Sequence, residues 1–152
     1  MADCTFVLNG EPLSELKCGT KAFPAFSGRG EHVNRRQFAC SYGTGPIPPG
    51  IYFIVDRESG GVLGGFRDYF TGRDTWFALY ANDNRVDDKT FCNNVMRGHF
   101  RLHPKGVRGV SEGCVVIDDA AQFASLRAIL KGSLLRPIPG SHLKAYGKLT
   151  VV

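Results

Sequence analysis

Residues 43–50 read Gly-Thr-Gly-Pro-Ile-Pro-Pro-Gly, a block that neither a helix nor a central strand can hold. Proline lacks an N–H to donate and fixes its own φ, so three prolines in five positions force an irregular connection. That connection delivers the chain into Ile51-Tyr52-Phe53-Ile54-Val55, a strand by its β-branched and aromatic content. The same reasoning upstream gives a hairpin over residues 4–18, in which Thr5–Leu8 and Ser14–Lys17 flank the turn residues of Asn9–Leu13. Its register sets Cys4 opposite Cys18, near enough for a cross-strand bridge. A strand over Lys21–Ser27 leads into a polar loop, Gly28–Arg36.

Downstream, residues 57–75 are glycine-rich and polar and read as a long loop or flap, followed by a strand over Trp76–Ala81. Asn82–Asn94 is polar again and holds Cys92. Alternation then predicts a strand with His99, Arg101 and His103 on one face and Phe100 and Leu102 on the other. Val115–Ile117 is a short apolar strand. Asp118 or Asp119 caps the one clear helix, whose stripe of Phe123, Leu126, Ile129 and Leu130 ends near Gly132. At the C-terminus Leu143, Ala145, Gly147, Leu149 and Val151 alternate with polar neighbours. No linker divides the chain. The expectation is one mainly β domain over residues 1–152, with a single main α-helix.

Composition removes several function classes. No apolar run approaches the roughly 20 residues of a membrane span, and the N-terminus lacks the basic and apolar regions of a secretory signal. The net charge is +5, but the basic residues are scattered rather than interleaved with aromatics, so nucleic acid is not the expected partner. Five cysteines, none in a Cys-x-x-Cys pair, argue against metal knuckles and thioredoxin-type chemistry. An odd count fits two bridges and one working thiol, or five reduced thiols.

Chemistry concentrates in one stretch. His103 ends a strand, a glycine-containing loop follows, and Ser111-Glu112-Gly113-Cys114 leads into the next strand. Such a loop can bring the His103 imidazole against the Cys114 sulfur, where it would lower the thiol pKa and serve as base. Gly113 allows close backbone approach, and its N–H with that of Cys114 can face a developing oxyanion. Ser111 is placed to orient the loop or the imidazole. His99 and Arg101 share the histidine face and are candidate substrate contacts. One rival reading makes His99, His103 and Cys114 a zinc site with an open position; another is a non-catalytic wall-binding module.

Ser-x-Gly-Cys preceded by a histidine resembles the signature of the YkuD-type catalytic domain of L,D-transpeptidases. The likeness extends to Phe26-Ser27-Gly28 and to the proline block before Ile51-Tyr52, and is greatest for the toxic L,D-transpeptidase effectors delivered by type VI secretion. The resemblance implies a β-sandwich or barrel and acyl transfer on peptidoglycan stem peptides, with neither metal nor organic cofactor. It also implies export without a signal peptide, action in the periplasm of a target bacterium, a cognate immunity protein there and a secretion-apparatus partner. In that oxidising space Cys4–Cys18 and Cys40–Cys92 would pair, leaving Cys114 free. Where typical members carry Arg or Asn two residues after the nucleophile, this chain has Val116. The charge that meets a substrate carboxylate is then expected from Arg97, Arg101, Lys105 or Arg108.

Overall fold

A computed structural model of the protein describes residues 1–57, 75–106 and 112–152. Eight strands close into a barrel in the order β1, β12, β4, β5, β8, β9, β3, β2. They are β1 (Ala2–Phe6), β2 (Ser14–Cys18), β3 (Lys21–Ser27), β4 (Gly50–Asp56), β5 (Phe77–Ala81), β8 (Arg101–Pro104), β9 (Val115–Ile117) and β12 (Gly147–Val151). Neighbours are antiparallel except β1 with β12 and β8 with β9. Closure removes the open edges that a sheet of this size would otherwise expose. Two small hairpins stand outside the barrel, β6 (Lys89–Cys92) with β7 (Val95–Gly98) and β10 (Arg136–Pro137) with β11 (Lys144–Ala145). Among the described residues no helix is long and apolar enough to cross a membrane.

Alternate residues of each barrel strand point inward. Phe6, Leu16, Ala25, Tyr52, Ile54, Phe77, Leu79, Leu102, Val115, Ile117 and Leu149 form the main core. The helix α1 (Ala120–Lys131) adds Phe123, Leu126 and Leu130 to that core. The Asp119 carboxylate accepts from the Ala121 N–H at 3.0 Å and caps it, and the Gly132 N–H closes its far end on Ala128. The predicted C-terminal alternation fails at one point. Tyr146 interrupts the strand, so Ala145 and Leu143 pack in a second cluster outside the barrel while β12 faces the interior. The Tyr146 hydroxyl donates to Asp56 and accepts from Lys131 of α1, which holds the break in place.

The proline block is a loop tied down by a polar knot. The buried Ser27 hydroxyl accepts from the Ile47 N–H at 2.8 Å, and the Ser27 N–H donates to the Asn34 side chain at 2.9 Å. Asn34 also donates to the Glu11 carbonyl, so three loops share one set of bonds. Of the two expected cysteine bridges, one is formed. Cys40 and Cys92 form a disulfide that ties the loop before the proline block to the β6–β7 hairpin. By loop-closure entropy over the 52-residue separation it contributes about 4 kcal/mol. Cys4 and Cys18 do lie opposite each other in the predicted register, but as free buried thiols, hydrogen-bonded to one another, rather than as a bridge.

Candidate active site

The strand predicted through His99 is broken there. β7 ends at Gly98, and His99 adopts a left-handed φ of 55° before β8 begins at Arg101. This turn separates the hairpin strand from the barrel strand and swings the His99 ring to the surface, 80% exposed, 3.1 Å from the Asp88 carboxylate. The His99 N–H donates to the Asp88 carbonyl, and its carbonyl faces the Cys114 sulfur at 3.9 Å. His99 therefore contributes its backbone to the surroundings of the Cys114 sulfur and its side chain to the cleft.

Within β8 the expected alternation holds. Phe100 and Leu102 are buried in the core, whereas Arg101 and His103 take the outer face. The parallel register sets His103 beside Val116, and Cys114, one step before β9, beside Arg101. His103 and Cys114 are thus diagonal neighbours on one face, a relation that spans roughly 7–8 Å between β-carbons and lies within reach of a ring. The Arg101 N–H hydrogen-bonds the Cys114 sulfur.

His103 is 8% exposed and stacks on Trp76 at 4.1 Å between ring centres, 17° from parallel. Its Nδ1 lies 2.7 Å from the Pro104 carbonyl oxygen. A carbonyl can only accept, so Nδ1 carries the proton, and in the neutral ring Nε2 is the basic nitrogen. The Pro104 carbonyl thereby fixes the tautomer and orientation of the His103 ring. In the sequence Trp76 marks only the start of a strand, with no part in the site, yet its indole packs flat on the His103 ring.

Gly113 precedes Cys114 with φ at 113°. A Cβ there would stand 2.6 Å from the Phe100 ring and 2.7 Å from an Arg97 nitrogen. Arg97 itself, expected at the substrate, is 3% exposed. Its guanidinium donates to the carbonyls of Ala39, Gly45 and Pro46 and packs over Phe100. It is a strut between the β6–β7 hairpin, the proline block and the floor under Gly113. Arg101 is also engaged, as a bidentate partner of Asp88 at 2.7 and 2.8 Å. Lys105 pairs with Asp118 at 3.5 Å. Ser111 and Arg108 lie outside the described residues, as does most of the loop expected over residues 57–75.

Cys114 opens into a cavity of about 440 Å³ whose walls include Tyr42 and Gly43 on one side and Lys89, Met96 and His99 on the other. The Cys40–Cys92 disulfide joins these two walls. The lining carries Lys89 as a charge that sequence alone did not single out. Among the described residues no three His, Cys, Asp or Glu side chains are grouped to hold a metal ion.

The expected lowering of the thiol pKa is overturned. Burial pushes the Cys114 thiol up, further helped by Glu112 and Asp88, and the Arg101 N–H and charge offset only part of this. Cys114 therefore rests as a protonated thiol, and any attack by its sulfur needs a base. We expect alkylation of Cys114 by iodoacetamide, followed by peptide mass spectrometry, to keep accelerating with pH through the ordinary thiol range near about 8.5. A plateau reached below pH 7 would show a thiolate already formed.

Among family models, that of the Tlde1 domain matches residues 21–140. Neither the curated proteins nor the solved structures contain a match to the chain.

Proposed function

Because the chain belongs to the Tlde1 domain family, the toxic L,D-transpeptidase effectors of type VI secretion, we propose that it trims or exchanges the terminal D-residue of peptidoglycan tetrapeptide stems through Cys114. The observation that carries this is the fixed tautomer of His103, with Nδ1 tied to Pro104 and the basic Nε2 on the face shared with Cys114.

His103 Nε2 takes the Sγ proton as sulfur attacks the carbonyl of the third stem residue. The tetrahedral oxyanion meets the N–H groups of Gly113 and Cys114, for which the left-handed Gly113 sets the backbone direction. On collapse the C–N bond breaks, and Nε2 returns the proton to the leaving amine. Water then cleaves the thioester and restores the thiol, or a free D-amino acid attacks instead and is incorporated. The raised thiol pKa suits this sequence, since an uncharged pair waits for substrate and charge separates only in the reaction. Within the cleft Lys89 and the exposed His99 are the side chains we assign to the stem, with Arg101 setting the floor through Asp88. The Cys40–Cys92 bond fits action in an oxidising periplasm. A cognate immunity protein there and a component of the secretion apparatus are the proposed partners.

The test is mass analysis of disaccharide-tetrapeptides incubated with the protein, with and without a free D-amino acid. Loss of the terminal residue, and its replacement by the added amino acid, is the expected result. Unchanged masses under both conditions would overturn the assignment.

A further inference from the structure

The cleft does not end at Cys114. Lys89 and Met96 line it, and both also line a second cavity of about 590 Å³ on the outer side of the β6–β7 hairpin. Met96 and Phe91 are cross-strand partners there. Phe91 is 71% and Met96 49% exposed, an unusual outlay of apolar surface on a two-stranded ribbon. The ribbon is not loose. Cys92, next to Phe91, is bonded to Cys40, and the alternate residue Arg97 is anchored on three carbonyls. Around the two apolar side chains stand Asn84, Arg85 and Asp87, groups that both donate and accept hydrogen bonds.

From this arrangement we propose that the hairpin cavity is a saccharide subsite, which holds an N-acetylated aminosugar of the glycan strand whose stem peptide occupies the Cys114 cleft. A pyranose ring has an apolar C–H face and a polar rim of hydroxyl and acetamido groups. A rigid aromatic face edged by amide, guanidinium and carboxylate matches both. Two apolar side chains make too small a patch for the roughly 800 Å² per partner of a stable protein interface. The covalent order of the substrate fits as well. With the third residue's carbonyl at Cys114, an extended peptide sets the sugar roughly 10 Å away, one cavity further on. This inference rests on the proposed reading of the cleft, and it makes the enzyme selective for glycan-linked stems over released peptides.

Two measurements test it on the full chain. Turnover of disaccharide-tetrapeptide should exceed that of the free tetrapeptide by about tenfold in kcat/KM, as covering one ring face implies. Phe91→Ala should remove that advantage and leave free-tetrapeptide turnover unchanged. Separately, a peptide-free oligomer of N-acetylglucosamine should shift the NMR resonances of residues 89–96 in the wild type and not in Phe91→Ala. Equal rates on the two substrates, or an equal loss on both in Phe91→Ala, would overturn the subsite. So would resonances that ignore the sugar, which would return the patch to a protein partner. Should neither substrate turn over while the sugar still shifts the hairpin, the subsite stands and the hydrolytic reading falls.

Discussion

Cys114→Ala is expected to abolish both trimming and exchange, and His103→Gln to lower turnover by about 10²–10⁴-fold, the range that positioned acid–base groups supply. The two losses should not add, because a thiol with its pKa pushed up and no base is scarcely better than no thiol. The double variant should therefore resemble Cys114→Ala alone. Both single variants should fold. Cys114 is half-buried at the cleft, and glutamine can keep contact with Trp76 where the imidazole stacked. Circular dichroism and a thermal melt check the fold, and muropeptide mass analysis checks the chemistry. Near-normal turnover by Cys114→Ala would remove thiol catalysis altogether. Raising the pH should rescue His103→Gln partly, since hydroxide then competes for the Sγ proton; a flat profile would assign His103 a purely structural role.

The barrel was legible wherever one chemical signal decided the outcome. β3 runs Lys21–Ser27 as predicted, because a turn glycine and a polar loop bound it on both sides. The Cys4–Cys18 register followed from the hairpin alone. The β6–β7 hairpin was missed although its signal was present. Asn93 and Asn94 both take positive φ, 48° and 65°, as the two central residues of a tight hairpin turn do. The flanking strands are four residues each, too short for periodicity to reveal them. Two features of the site had no sequence signal. A histidine gives no warning that it will adopt φ of 55°, and this is what broke the strand at His99. Arg97 looks like any surface cation until one stretch far from it in sequence, residues 39–46, converges its carbonyls on it. By contrast the residue types that make His103, Gly113 and Cys114 candidates, a base, a permissive backbone and a thiol, are plain in the sequence.

Gly113→Ala is expected to damage stability and turnover together. Backbone strain comes first: φ of 113° lies where L-residues rarely go, at a cost of about 1–3 kcal/mol. The clash comes second, and neither neighbour can yield. Phe100 is 2% exposed and meets Tyr52 edge-on at 5.8 Å between ring centres. Arg97 is fixed by its three carbonyls, and moving it would strand a buried cation. Overpacking of this kind adds about 1–3 kcal/mol more. If the chain relieves the strain by shifting the Gly113–Cys114 backbone, the donors leave the oxyanion and the sulfur leaves its line to His103. A displacement of about 1 Å there suffices for a 10²-fold loss of turnover. A melt and muropeptide kinetics on Gly113→Ala should therefore show both effects together. Adding Phe100→Leu should recover part of the lost stability by opening room for the methyl, yet restore little activity, because the φ requirement remains. A Gly113→Ala protein with turnover within about threefold of wild type would show that neither the left-handed backbone nor the oxyanion donors placed by it are needed for the reaction.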